Sequence, residues 1–314
     1  MMKVIQTLYT LMRQTVQEWM EDGAASIAAA LAYYAVFSLS PLLILVSLIV
    51  GSAISPVNQD DILQPVESTI GAEAAETFRA FMNASQQTSS TAIGTTVWIV
   101  IIIWGASGLF AQLQDALNKI WEVKPAAGQS PLLFVQNRAL SFLIVLVGAG
   151  LLIGTTLINT TITTLIRTNV DIAAFAVVIR PLQILVSLGM MTLLFMIIFK
   201  VLPDVIISWK DVIVGSVFTA FLFLVGQFLV GLYIANADPS LGGVAGSLTI
   251  ILVWIYYSAQ ILLFGAEFTE VWARHHGAYI RPDSGAEWVN VAKARREAEA
   301  AGIDFDEANA KPAD

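Results

Sequence analysis

Val212-Ile-Val-Gly-Ser-Val-Phe-Thr-Ala-Phe-Leu-Phe-Leu-Val-Gly-Gln-Phe-Leu-Val-Gly-Leu-Tyr-Ile234 contains no charged residue and one strongly polar amide, Gln227. A helix needs roughly 20 apolar residues to cross the hydrocarbon core of a bilayer, so this stretch is long enough to span one. Five more stretches qualify: Ala24–Val50, Ile93–Ala111, Ala139–Ile158, Val177–Val201 and Val244–Ala266. The expectation is an all-α, polytopic membrane protein, a bundle of six transmembrane helices over residues 24–275.

Composition agrees. The 314 residues are 57% hydrophobic and 13% charged, about half the charge of a soluble domain. The charged residues gather between the apolar stretches and in the tail. The net charge of −8 comes largely from a loop and the tail, where acids are solvated. It does not point to a basic ligand, and no basic patch suggests nucleic acid. There is no cysteine, which excludes disulfides and thiolate chemistry.

Ahead of the first span, Val4, Ile5, Leu8, Leu11, Met12, Val16, Trp19 and Met20 recur at helical spacing, with Lys3, Arg13, Gln14, Gln17 and Glu18 opposite. Residues 1–23 thus form an amphipathic helix, suited either to the membrane interface or to packing beneath the bundle. Lys and Arg set the orientation. With the N-terminus inside, thirteen of the sixteen fall on the cytoplasmic side, and only Arg79, Arg167 and Arg180 outside. Both ends are expected in the cytoplasm of a bacterial inner membrane. The first outside loop, about 51–92, is acidic, and its middle has helical spacing, predicting short surface helices. Residues 276–314 are expected to be a charged, partly disordered tail.

Polar side chains inside a span are costly unless they meet water, protein or one another. Thr249, Tyr256, Gln260 and Glu267 are separated by 7, 4 and 7 residues. At about 100° per residue they form one stripe down the sixth span. In the first span Ser26, Tyr33, Ser40 and Ser47 repeat every seventh residue, and Ser216 and Gln227 share a face of the fifth. These define either a polar groove between spans one, five and six, with Tyr33, Ser40, Gln227, Thr249, Tyr256, Gln260 and Glu267 on its walls, or small-residue helix packing. Glu267, near the inner end of its span, is alternatively hydrated or paired with Arg274. Gly150 and Gly154 form a GxxxG packing pair. Pro41 is expected to kink or interrupt the first span, and Gly246 to permit close backbone approach where the sixth begins.

No catalytic pattern emerges. His275 and His276 are adjacent, so their side chains diverge on a helix and cannot easily share a metal. Asp115, Glu122, Asp204 and Asp211 are separate loop acids. Phosphate loops and nucleophile elbows are absent. No enzyme, cofactor or metal is expected. The expected associations are the lipid bilayer, a lipid or small polar substrate, and a second copy or an envelope-complex partner.

Several stretches carry a family resemblance. Ala28-Ala-Ala-Leu-Ala-Tyr-Tyr-Ala-Val-Phe-Ser-Leu-Ser-Pro-Leu42, Leu202-Pro-Asp204 with Trp209-Lys-Asp-Val-Ile-Val-Gly215, and Trp254-Ile-Tyr-Tyr-Ser-Ala-Gln-Ile-Leu-Leu-Phe-Gly-Ala-Glu267 together resemble the YihY/BrkB family over roughly residues 20 to 275. Tyr33, Pro41, Pro203, Trp209, Gly215, Trp254, Gly265 and Glu267 match its motif positions. Where that family usually has Tyr-Gly-Ser entering the last span, this chain has Ala245-Gly-Ser247, so any role of that tyrosine does not carry over. The resemblance implies a six-span bacterial inner-membrane protein associated with virulence and serum resistance. It also brings an old ribonuclease BN label, for which these residues offer no metal-binding acid cluster. The function expected is transporter-like or lipid-handling, with a non-catalytic membrane scaffold as the alternative.

Overall fold

The computed structural model describes residues 2–53, 108–126, 176–236 and 244–306 except 279, 284 and 301, with scattered positions between 63 and 83 and between 147 and 164. Most of the second and third expected spans and of the 51–92 loop lies outside the described residues. The loop positions that are described, among them Leu63, Glu76 and Arg79, are helical, and Glu76 pairs with Arg79 at 2.8 Å.

The chain opens with α1 (Met2–Glu21) and turns at Gly23 into α2 (Ala24–Ala53). Gly23 takes φ +67°, a left-handed conformation that a side chain would strain. α2 runs through Pro41 to Ala53, so the proline does not end the helix. A lost backbone bond is tolerated in a spanning helix where neighbours re-satisfy the freed carbonyl. A helical segment at 108–120 leads into β1 (Val123–Pro125).

Three long helices follow: α3 (Ala176–Val201), α4 (Trp209–Asn236) and α5 (Val244–His275). The stretches Pro181–Val201, Trp209–Val230 and Ile251–His275 are long and apolar enough to cross a membrane; Ala24–Ser38 of α2 is apolar but shorter. Leu182, Leu185, Phe221 and Val253 are exposed on these helices. Such a surface suits hydrocarbon, because lipid tails are as apolar as leucine.

α5 is the hub, packing against α1, α2 and α4, while α3 packs on α4. It extends two turns past the expected end of the sixth span. Those turns are held by Glu270 and Arg274, an i,i+4 pair, and by burial of Phe268, Val271 and Ala273. The helix stops at Gly277 (φ +72°), where the Ala278 N–H donates to the Ala273 carbonyl and the Gly277 N–H to that of Arg274. That paired pattern is a Schellman stop, and it turns the chain back beneath the bundle.

The segment after the stop, expected as part of a charged tail, carries two short strands. β3 (Arg281–Pro282) pairs antiparallel with β2 (Val205–Ile206), and β4 (Ala286–Trp288) pairs with β1. Both ladders lie at one end of the bundle, hereafter the clasp end. α6 (Val291–Ala300) then begins with Asn290 as cap, its Oδ1 accepting from the Lys293 N–H at 3.0 Å. Lys293 forms an ion pair with Glu122, and Lys124 pairs with Glu287 at 3.2 Å. The core sits at this end, where Trp121, Phe199, Leu202, Val205, Ile207 and Leu263 are buried together. Rings connect it to the bundle interior: Trp121 meets Phe199 edge-on, Phe199 stacks on Phe195, and Phe195 and Trp254 both meet Phe223. Edge-to-face and offset geometries are the favoured ones for aromatic pairs.

Candidate functional site

Two helices build the most unusual polar site. The last turn of α1 begins at Glu18, and Asp22 follows its end; the last turns of α5 carry Glu267, Glu270 and Arg274. Because α1 lies against α5, these side chains converge. Carboxylate oxygens of Glu18, Glu267 and Glu270 lie within 4.8 Å of one another. Arg274 bridges two of them, as a close ion pair with Glu18 and at 3.7 Å from Glu270. Lys119 reaches over from the 108–120 segment and donates to the Asp22 carbonyl at 2.5 Å.

Glu267 is the exception in this group. It is fully buried (0% exposed), and neither of its oxygens accepts a hydrogen bond. The side chain placed to interact with it is another carboxyl, Asp22. Two carboxyls hydrogen-bond only when one of them holds a proton, so an ionised Glu267 has no donor in an ionised Asp22. Burial pushes the Asp22 carboxyl above its usual range, and Lys119 pulls it partly back.

The rest of the stripe on α5 changes environment along its length. Thr249 and Tyr256 are exposed, Gln260 is half-buried and Glu267 is enclosed. The Gln260 Oε1 is buried without a partner. Gln227 on α4 is half-buried, and Tyr33 on α2 is exposed with its ring against Phe37 and Tyr34. Ser40 lies on α2, where the structure describes only the backbone. Glu267 and Gln260 thus lie inside the bundle, whereas Tyr33, Thr249 and Tyr256 lie on its surface.

The glycines sort clearly. A Cβ placed on Gly215 would fall 2.7 Å from the Thr269 Cβ, and one on Gly265 would fall 2.7 Å from the Thr219 Cγ2. On Gly226 it would overlap the Tyr257 ring, with Cζ at 2.8 Å. All three mark close contact between α4 and α5. Gly154 has Met190 of α3 at 3.7 Å from such a Cβ, Gly150 has open space, and Gly246 sits in the first turn of α5.

A second polar construction holds the clasp end. Asp204 accepts from Gln114 Nε2 at 3.0 Å and from Asn118 Nδ2 at 2.7 Å, and its backbone N–H donates to Asn118 Oδ1 at 2.8 Å. The Leu202-Pro203-Asp204 turn is thereby clipped to the 108–120 helix. Nearby, Asp115 is pushed up by burial and by the negative charge of Asp204. His276 stacks on Trp272 with its Nδ1 2.9 Å from the Trp272 carbonyl, and His275 is exposed; they do not converge on a common point. At the other end of the helices, an open crevice of about 460 Å³ separates α3 from α4, lined by Gln183, Ile184, Ser187, Leu224 and Phe228.

Sequence reasoning singled out Glu267 but missed Glu18, Asp22 and Glu270 as its neighbours. Two carboxylates one turn apart at the end of an apolar helix, Glu267 and Glu270, were the available signal. Their convergence with Glu18 needs α1 folded back on α5. Gln183 and Ser187 were likewise missed, since each is a single polar residue in a long apolar run.

Comparison with known proteins places the chain. A UPF0761 membrane protein of Rhodospirillum centenum is 29% identical over 270 residues, covering 82% of this chain and 56% of that protein. One from Tolumonas auensis is 26% identical over 177 residues, covering 56% of each. The UPF0761 membrane protein YihY of Shigella boydii is 27% identical over 197 residues, covering 62% of each. The chain therefore spans between about half and two thirds of the length of these relatives. No solved structure matches. The family model described as Virulence factor BrkB matches residues 15–288, the region that holds α2, the Asp204 clip, the α4–α5 contact and the acid cluster, and the chain belongs to this family of membrane proteins.

Proposed function

We propose that this membrane protein handles an amphipathic molecule, a lipid or a small polar solute, and does so without catalysing a reaction. In this reading it is a six-span protein of the bacterial cytoplasmic membrane, with both termini and the clasp end in the cytoplasm. The observation that carries the proposal is the stripe on α5, which leads from exposed Tyr256 to half-buried Gln260, whose buried Oε1 lacks a partner. A buried amide oxygen left unpaired costs about 1–3 kcal/mol, and a polar group on a ligand would remove that cost. The crevice between α3 and α4 adds support. Its volume lies in the range of small-molecule sites, and its wall is apolar with two polar side chains, as an acyl chain with a polar end requires.

The test is the lipid and metabolite content of the protein purified in mild detergent. The wild type should retain a defined class of amphipathic molecule. Gln260→Ala and Leu224→Trp should each lower that content at least severalfold while the protein stays folded. If the wild type retains nothing beyond bulk lipid, or both variants retain what it does, the reading falls and a scaffold role gains.

A further inference from the structure

We infer that Glu18, Glu267 and Glu270 form a binding site for one hard divalent cation, which ties the end of α1 to the end of α5. This inference does not depend on the transport reading. Three carboxylates from two helices bring oxygens within 4.8 Å of each other. Two oxygens on one ion lie at most twice the bond length apart. For Ca²⁺, with bonds of about 2.3–2.6 Å, that limit is about 4.6–5.2 Å; for Mg²⁺, with bonds of about 2.0–2.1 Å, it is about 4.2 Å. The spacing is within reach of Ca²⁺, and Mg²⁺ would need the three side chains to draw closer. A set of oxygens without thiolate or imidazole favours these ions over zinc or copper.

An acidic cluster alone would prove little, since exposed acids are common. The independent observation is Glu267, fully enclosed, with both oxygens lacking a hydrogen-bond donor. An ionised carboxylate so placed carries a desolvation cost that a proton or an opposite charge has to meet, and three carboxylates this close are met together by one shared cation. Arg274 serves Glu18 and Glu270, and Lys119 is directed to the Asp22 carbonyl. Five carboxyls (Glu18, Asp22, Glu122, Glu267 and Glu270) face three cations, Arg274, Lys119 and Lys293, which leaves two negative charges when all are ionised. A divalent ion supplies the missing charge.

The position has a structural consequence. α1 has exposed Ile5, Tyr9, Val16 and Met20 along one side and buried Leu11 and Thr15 on the other, against the bundle. Its far end is anchored to α5 by this acid cluster. An ion shared by Glu18 and the α5 carboxylates would fix α1 to the bundle, and its removal would leave the helices repelling each other there.

The experiment uses the full chain in mild detergent, stripped with a chelator and titrated with Ca²⁺, Mg²⁺ or Zn²⁺ alone. Saturable binding of about one Ca²⁺ or Mg²⁺ per chain is expected, with a rise in melting temperature. Glu18→Gln and Glu267→Gln should each weaken binding by about tenfold or more, the least that losing a ligand should cost where outer-shell changes already cost 10–100-fold. Glu287→Gln, outside the cluster, should bind as the wild type does. The melting transition without ion shows that each variant is folded, and Glu18, being only part-buried, keeps the test open should Glu267→Gln not fold. No saturable binding by the wild type, preference for Zn²⁺, or equal binding by Glu18→Gln would overturn the inference.

Discussion

Thr269 of α5 occupies the space a side chain would take at Gly215 of α4, and in return Thr219 of α4 occupies that space at Gly265 of α5. Each threonine hydroxyl also donates to the carbonyl of the glycine four residues earlier in its own helix, Thr219 to Gly215 at 2.7 Å and Thr269 to Gly265 at 2.6 Å. The same Gly-x-x-x-Thr unit thus occurs on both helices and the two interlock. With no hydrophobic drive between helices in lipid, close backbone approach of this kind is what holds a pair together.

Gly215→Ala should therefore cost about 1–3 kcal/mol or more, as overpacking a tight contact does. Adding Thr269→Gly should restore part of it, less about 1 kcal/mol for a glycine inside a helix. Thermal unfolding in detergent of the single and double variants measures the coupling. Independent effects of the two changes would contradict the interlock.

Asn118→Ala should destabilise the clasp end by about 2–3 kcal/mol, since it removes two hydrogen bonds, one to a charged acceptor. Asp204→Asn should cost less than this, because its amide still has one oxygen to accept with. Limited proteolysis around residue 204 would report the difference, with Asn118→Ala cut faster.

Asp115 gives a pH dependence. Its carboxyl is raised in the folded state by burial and by Asp204, so the fold binds this proton more tightly than the unfolded chain does. The stabilisation is complete below the ordinary carboxylate value and is lost as pH rises through the raised one. Asp115→Asn should match the wild type in acid and exceed it in stability at neutral pH. The side chain is only partly enclosed and still open to solvent, so screening keeps the gain below about 1 kcal/mol. Melting temperatures compared at the two pH values would test the sign.

At the β1–β4 ladder, Trp288→Ala and Glu287→Ala should part company. Trp288 is half-buried against the core, and its loss should cost about 2 kcal/mol, below the 3–5 of a fully buried ring. Glu287 meets Lys124 at the surface, and such pairs contribute about 0–1 kcal/mol. Equal destabilisation by the two would show that packing does not hold the tail in place.

The helices were legible from uninterrupted apolar runs. Hydrocarbon leaves a backbone little choice but to satisfy its own hydrogen bonds, and α3 and α4 follow the expected bounds to within three residues. The end of α5 was not legible. Charged residues from Glu267 to Arg274 look like a boundary in sequence, yet they continue as helix because α1 covers them. The tail misled for a related reason: Ala, Glu and Arg suggest solvent, but β3 and β4 are held by pairing with β2 and β1, partners roughly eighty to one hundred and sixty residues away in the chain.

The sequence by itself thus determined a helical membrane chain, its family motifs and the stripe that ends at Glu267. Length and hydropathy are local properties, and a bilayer reads them locally. Only the tertiary structure decided what Glu267 meets. Its neighbours Glu18 and Asp22 lie some 250 residues earlier in the chain, and folding α1 onto α5 is what joins them into one enclosed group of carboxylates. The same holds for Thr269 and Gly215, since an interlock depends on which helices are neighbours and at what height they meet.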